Sequence, residues 1–85
     1  MLQILKFGAT FCGPCRVIKP IVEEISNETG IEVIHYDADE HESIFAQYNI
    51  RAVPTLVFLK NGVEVERKTG LLTKDILKKI VDNLG

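Results

Sequence analysis

The only two cysteines in this 85-residue chain, Cys12 and Cys15, are separated by Gly13 and Pro14 alone. An apolar run from Leu2 to Phe7 precedes them and reads as a strand. Behind them Val17, Ile18, Ile21, Val22 and Ile25 recur at helical spacing. A Cys-x-x-Cys at the handover from strand to helix ties the fold to a βα unit, and it is a place to store and release two electrons. A structural staple explains the pair poorly. A disulfide stabilises mainly by restricting the unfolded chain, and the loop closed here is minimal.

Two other chemistries fit a close cysteine pair. One is a metal site, with His35 and His41 completing four ligands. The H-x5-H spacing suits a finger, but nineteen residues lie between Cys15 and His35, longer than finger spacing allows. The other is a pair of inert core thiols.

The remaining pattern gives β-α-β-α-β-β-α. The first strand, Leu2 to Phe7, carries apolar residues on both faces, as a strand covered on both sides does. The first helix starts near Gly13 or Pro14, since proline is tolerated where no helical N–H is needed. It stops at Gly30, and Pro20 inside it predicts a kink. Ile31 to Tyr36 reads as a second strand and Glu42 to Tyr48 as a short helix. Thr55 to Leu59 is a third strand, and Asn61-Gly62 is a tight-turn signal leading into a fourth, Val63 to Thr69. Thr73 is a good N-cap for a last helix with Ile76, Leu77, Ile80, Val81 and Leu84 on one face. A helix between the first two strands implies a right-handed parallel crossover. The expected fold is α/β: one domain over residues 1–85, with a four-stranded mixed sheet flanked by helices.

Ten Lys+Arg against twelve Asp+Glu leave a net charge of −2, without a like-charge run of the kind nucleic acids or membranes attract. Lys6 interrupts the apolar N-terminal run and no basic leader precedes it, so it is not expected to be a signal peptide. Val53 to Leu59 is too short to span a bilayer. The expected compartment is the cytoplasm, where thiols are kept reduced.

Phe11-Cys12-Gly13-Pro14-Cys15-Arg16 resembles the active-site signature of the thioredoxin family. Pro20 matches that family's helix proline. Ala52-Val53-Pro54-Thr55 is similar to its cis-proline loop, Lys60-Asn61-Gly62 to its hairpin turn, and Gly70 to its substrate-side glycine. The matches cover nearly the whole chain. The family's N-terminal strand and helix have no counterpart, so the chain resembles a minimal core.

The resemblance implies a protein-disulfide reductase and electron carrier with no cofactor beyond its Cys12–Cys15 disulfide. Cys12 would attack a substrate disulfide and Cys15 would resolve the mixed disulfide. Phe11, Gly13, Pro14, Val53, Pro54 and Gly70 would form the substrate rim. Pro54 would follow a cis bond, found at about one X-Pro bond in twenty, and the Val53 backbone would pair with an extended substrate segment. Implied partners are protein disulfides and a flavin-dependent thioredoxin reductase, with the chain a monomer in redox homeostasis. Two alternatives stand beside this: a glutathione-dependent glutaredoxin, and a thioredoxin-fold module that only binds a partner. The glutaredoxin Cys-Pro-Tyr-Cys is absent.

Two positions depart from the family pattern. Phe11 replaces the usual tryptophan. Lys6 stands where a buried aspartate is usual beneath the cysteines. Lys6 is expected near Cys15, paired with Asp37 or Asp39 and favouring the thiolate; the bland alternative is a lysine that reaches past the strand end to solvent.

Overall fold

A computed structural model describes residues 1–85. The elements are β1 (Leu2–Gly8), α1 (Gly13–Thr29), β2 (Glu32–Asp37), α2 (Glu42–Gln47), β3 (Thr55–Lys60), β4 (Val63–Thr69) and α3 (Lys74–Leu84). They form one four-stranded sheet in the order β2-β1-β3-β4. β1 runs parallel to β2 and antiparallel to β3, and β3 is antiparallel to β4, so the sheet is mixed.

The two central strands explain the apolar runs. Alternate side chains of a strand point to opposite faces. On one face Leu2 and Ile4 of β1 meet Leu56 and Phe58 of β3, Ile18, Val22 and Ile25 of α1, and Leu77 and Val81 of α3. On the other face Leu5 and Phe7 join Val57 and Leu59 over Ile44, Phe45 and Tyr48, from α2 and its C-terminal end. Lys6 shares the parity of Leu2 and Ile4, so it points toward α1, with only 7% of its surface exposed.

The helix ends follow their caps. The Thr73 hydroxyl accepts the Ile76 N–H at 3.2 Å. Gly30 closes α1 in the left-handed region, its N–H reaching the Ser26 carbonyl at 2.8 Å. Asn61 and Gly62 both have positive φ, the geometry of a two-residue hairpin turn between β3 and β4. α1 runs unbroken past Pro20, which is exposed. Two apolar residues do not join the core as the periodicity suggests. Val17 is 55% and Ile76 47% exposed. Each lies at the margin of its helix's apolar stripe. β2 also starts one residue later and ends one later than expected, at Glu32 and Asp37.

Candidate active site

The site is built where β1 hands over to α1. Cys12 is the N-cap of α1, with extended backbone (φ −92°, ψ 112°). Its N–H donates to the Ala9 carbonyl at 3.2 Å, which turns the chain, and its Sγ accepts the Cys15 N–H at 3.2 Å. A sulfur here faces the unpaired N–H groups and positive end of a helix. No acidic residue lies in the first turn to oppose negative charge on it. The sulfurs of Cys12 and Cys15 are joined in a disulfide, with the Cα atoms 5.3 Å apart. Cys12 is 9% and Cys15 3% exposed, so the first is the more reachable, although both are largely covered.

The facing wall comes from the loop before β3. The Val53–Pro54 peptide is cis. Pro54 is buried and Val53 half-buried. The Val53 carbonyl oxygen lies 3.9 Å from Cys12 Sγ. The loop is held by the Thr55 hydroxyl donating to the Ala52 carbonyl at 2.7 Å, and by the Gly70 N–H donating to the Pro54 carbonyl at 2.8 Å. Gly70 has φ +93°, which an L side chain rarely adopts. Gly13 and Pro14 are exposed, as is Phe11, with 78% of its surface open. An exposed phenyl ring beside a reactive sulfur can cover an incoming apolar segment. Leu71, next to Gly70, is 54% exposed. Its sequence position between β4 and α3 looks like ordinary packing, so only its exposure marks it.

Beneath the disulfide, Lys6 Nζ and Cys15 Sγ crowd the same spot. A Cβ built on Gly8 would lie 3.1 Å from Nζ and 3.5 Å from Sγ. The two atoms are therefore no farther apart than the sum of those distances. Gly8 is the residue that sequence reasoning missed. Nothing in its neighbours signals that its lack of a side chain lets a lysine and a cysteine approach one another. The expected ion pair of Lys6 with Asp37 or Asp39 does not form. Asp37 Oδ1 instead accepts the Asp39 N–H at 2.9 Å, a local turn contact that keeps the carboxylate at the strand end. Burial pushes the Lys6 ammonium below its ordinary pKa and Lys19 adds to this, while Glu23 and Asp37 pull it back up. His35, opposite Lys6 in the β1–β2 register, is also pushed down, first by desolvation and then by Lys6.

His35 and His41 line the same open cavity as Cys15. His41 Nδ1 accepts the Asp37 N–H at 3.4 Å, and its ring packs edge-on against Tyr36. No group of three or more His, Cys, Asp or Glu side chains is placed to hold a metal ion.

A disulfide at a helix N-terminus, faced by a cis-proline loop on a mixed sheet, defines the class of thiol–disulfide oxidoreductases built on one strand–helix turn. The thioredoxin family model matches residues 1–83. A thioredoxin from Staphylococcus aureus is 35% identical over 83 residues, covering 95% of this chain and 80% of that protein. Among solved structures, a mutant thioredoxin from Halobacterium salinarum superimposes with TM-score 0.92 at 35% identity, covering 96% of this chain and 73% of that one. Fasciola hepatica thioredoxin gives 0.89 at 37% identity, covering 96% and 79%. The chain belongs to the thioredoxin family, and it is a thiol–disulfide oxidoreductase. Membership implies protein disulfides as substrates and a reductase as partner. No helix is long and apolar enough to cross a membrane.

Proposed function

We propose that Cys12 is the nucleophile and Cys15 the resolving thiol of a protein-disulfide reductase. The observation that carries this is the Cys15 N–H on Cys12 Sγ at the start of α1. A thiolate formed there keeps that hydrogen bond and the helix dipole. Cys12 attacks one sulfur of a substrate disulfide, and the other substrate sulfur leaves with the bonding pair. Cys15 then attacks Cys12 Sγ, the mixed disulfide breaks, and the substrate departs as a dithiol.

Phe11, Gly13, Pro14, Val53, Pro54 and Gly70 form the rim on which the substrate lies. The Val53 backbone pairs with an extended segment of it, as strand addition requires. Such a flat apolar rim suits protruding segments of many proteins better than one small molecule. Lys6 tunes the thiols from below. The 85 residues act as one domain and as a monomer, with the disulfide as the sole redox group. Electrons come from a flavin-dependent thioredoxin reductase, and the protein works in the cytoplasm in electron transport and redox homeostasis.

Insulin reduction tests this. With dithiothreitol as electron source the protein accelerates precipitation of insulin chains, and Cys12→Ser abolishes the acceleration. Failure of the unsubstituted protein removes the reductase assignment. Turnover with glutathione alone, and none with a flavin-dependent reductase, moves the protein to glutaredoxin-type chemistry. A cellular role that survives Cys12→Ser marks a binding module.

A further inference from the structure

Behind the disulfide lies an open cavity of about 310 Å³ that the dithiol chemistry above does not use. Of the charged side chains that line it, Lys6 alone is buried, with 7% of its surface exposed. No carboxylate comes within ion-pair distance of its ammonium. The polar groups nearby are engaged elsewhere. The Arg16 guanidinium donates to the Thr10 carbonyl at 3.0 Å, Asp37 Oδ1 accepts the Asp39 N–H at 2.9 Å, and His41 Nδ1 accepts the Asp37 N–H at 3.4 Å. No side-chain nitrogen sealed inside the protein lacks a hydrogen-bond partner. Lys6 Nζ has no such partner, so it is not sealed: the small exposed part of this residue includes its amine, which opens into the cavity.

We propose that this cavity is a binding site for a small oxyanion, either inorganic phosphate or the acidic end of a small phosphate ester, seated on the Lys6 ammonium. An ammonium held mostly out of water with no counter-charge is unfavourable, and the protein supplies none. A bound oxyanion supplies both the charge and the acceptors, in hydrogen bonds about twice as strong as neutral ones. The cavity is at the small end of the roughly 300–1,000 Å³ of ligand pockets, so it has room for a small molecule and not for a peptide. It also stands apart from the substrate rim. Cys15 lines it and Cys12 does not, and none of Phe11, Gly13, Pro14, Val53, Pro54 and Gly70 does. The proposal is therefore independent of which cysteine attacks.

The charges on each neighbouring element set the sign of the cavity. From α1, Arg16 and Lys19 line it and are exposed at its mouth. Lys19 opposes the Lys6 ammonium, and Glu23 on the same helix favours it. From β2, Asp37 favours the ammonium, and His35 faces Lys6 in the strand register. Glu40 and His41 line the opening from the turn after β2. From β3 the register neighbour of Lys6 is the apolar Leu56. With both histidines neutral, the cations Lys6, Arg16 and Lys19 face the carboxylates Asp37 and Glu40, and the one buried charge is a cation. Arg16 keeps guanidinium N–H groups beyond the one given to Thr10, in a fork that suits phosphate oxygens.

Two NMR titrations of the oxidised protein test the assignment, at an ionic strength held constant with chloride. The first adds inorganic phosphate. The Lys6 Cε resonance and the amides of Cys15 and His35 shift and saturate, while the Asn61-Gly62 turn at the far end of the sheet stays unmoved. The Lys6 titration moves to higher pH, because the bound anion favours the ammonium. Lys6→Met weakens binding at least about tenfold, the low end for a hydrogen bond to a charged group. Lys19→Ala, at the exposed mouth, weakens it less than about fivefold. The second titration uses glycerol 2-phosphate. Tighter binding than that of inorganic phosphate assigns the site to an ester; equal or weaker binding assigns it to the free ion. Shifts that grow without saturating for both anions, or that leave Lys6 unmoved, overturn the proposal and leave the amine solvated by water alone. So does binding unchanged in Lys6→Met, or weakened more by Lys19→Ala than by Lys6→Met. The titration of the unsubstituted protein decides the matter even if a variant fails to fold.

Discussion

The last two side chains of β1 before its closing glycine, Lys6 and Phe7, are adjacent in sequence and opposite in fate. Phe7 points to the α2 face and is fully buried. Its ring stacks on Tyr36 at 5.3 Å, meets Phe45 edge-on at 5.1 Å and tilts against Tyr48 at 5.6 Å. Lys6 points to the α1 face and is nearly as deep, yet no carboxylate pairs with it, and its Nζ shares the space over Gly8 with Cys15 Sγ. One side of the strand end maximises packing; the other holds a group whose burial is unfavourable while it is charged. An unfavourable group kept beside the chemistry points to use, and a satisfied aromatic cluster points to stability.

The largest effect expected from breaking that contrast is at Phe7. Phe7→Ala removes the shared partner of three aromatic rings and should cost about 3–5 kcal/mol of unfolding free energy, as core Phe truncations do. A small domain has only about 5–15 kcal/mol in all. Urea unfolding measures the loss. The molecules that stay folded keep insulin-reducing activity, because Phe7 packs in a different buried cluster from the one that holds Cys12 and Cys15. A loss below about 1 kcal/mol would mean that the aromatic cluster is not what anchors β1.

Lys6→Met should act in the opposite direction and on a smaller scale. The folded oxidised state binds a proton on Lys6 less readily than the unfolded chain does, since burial lowers its pKa. Between the depressed folded value and the ordinary lysine value of about 10.4 the unfolded state holds more protons, so stability rises with pH through that window. Below it the full penalty is present. An apolar side chain of similar length removes the penalty. The oxidised protein should gain stability at neutral pH, read as a rise in its urea midpoint. Urea midpoints from neutral to alkaline pH show whether the rising slope disappears. A variant less stable than the parent at neutral pH would mean that Lys6 is held by attractions stronger than its desolvation.

The contrast also separates what the sequence reveals from what it hides. Periodicity places Leu2 and Ile4 against one layer and Leu5 and Phe7 against the other, because strand alternation follows from covalent geometry. Asn61-Gly62, Gly30 and Thr73 mark their turn, stop and cap through the backbone conformations or side-chain oxygens that such ends need. The cysteine pair and the loop before β3 are legible because both chemistries are local in sequence. Long-range partners are not. The neighbour of Lys6 depends on how α1 settles over β1, and on Gly8 leaving room between them. Asp37 looks like a partner in sequence, yet its carboxylate turns to a backbone N–H two residues on. Val17 and Ile76 show the same limit: helical spacing identifies a stripe, while only the packed structure shows that these two edge residues stay exposed.

The smallest expected effect concerns His35, and it asks whether the charge on Lys6 reaches across the sheet. The two residues face one another in the parallel register of β1 and β2. His35 is held below its ordinary pKa, first by desolvation and then by Lys6. A histidine with a lowered folded pKa binds fewer protons folded than unfolded. Stability therefore rises with pH from the folded value up to about 6.5, and acidification through that window costs stability. The ring is largely exposed, so solvent screening keeps the cost small. His35→Gln should flatten this acidic part of the urea-midpoint profile. In Lys6→Met the His35 titration, followed by its ring proton resonances, should shift toward higher pH, because one of the two main causes of its depression is gone. An unshifted His35 in that variant would assign the depression to desolvation and Lys19, and would show that the charge on Lys6 does not reach across the sheet.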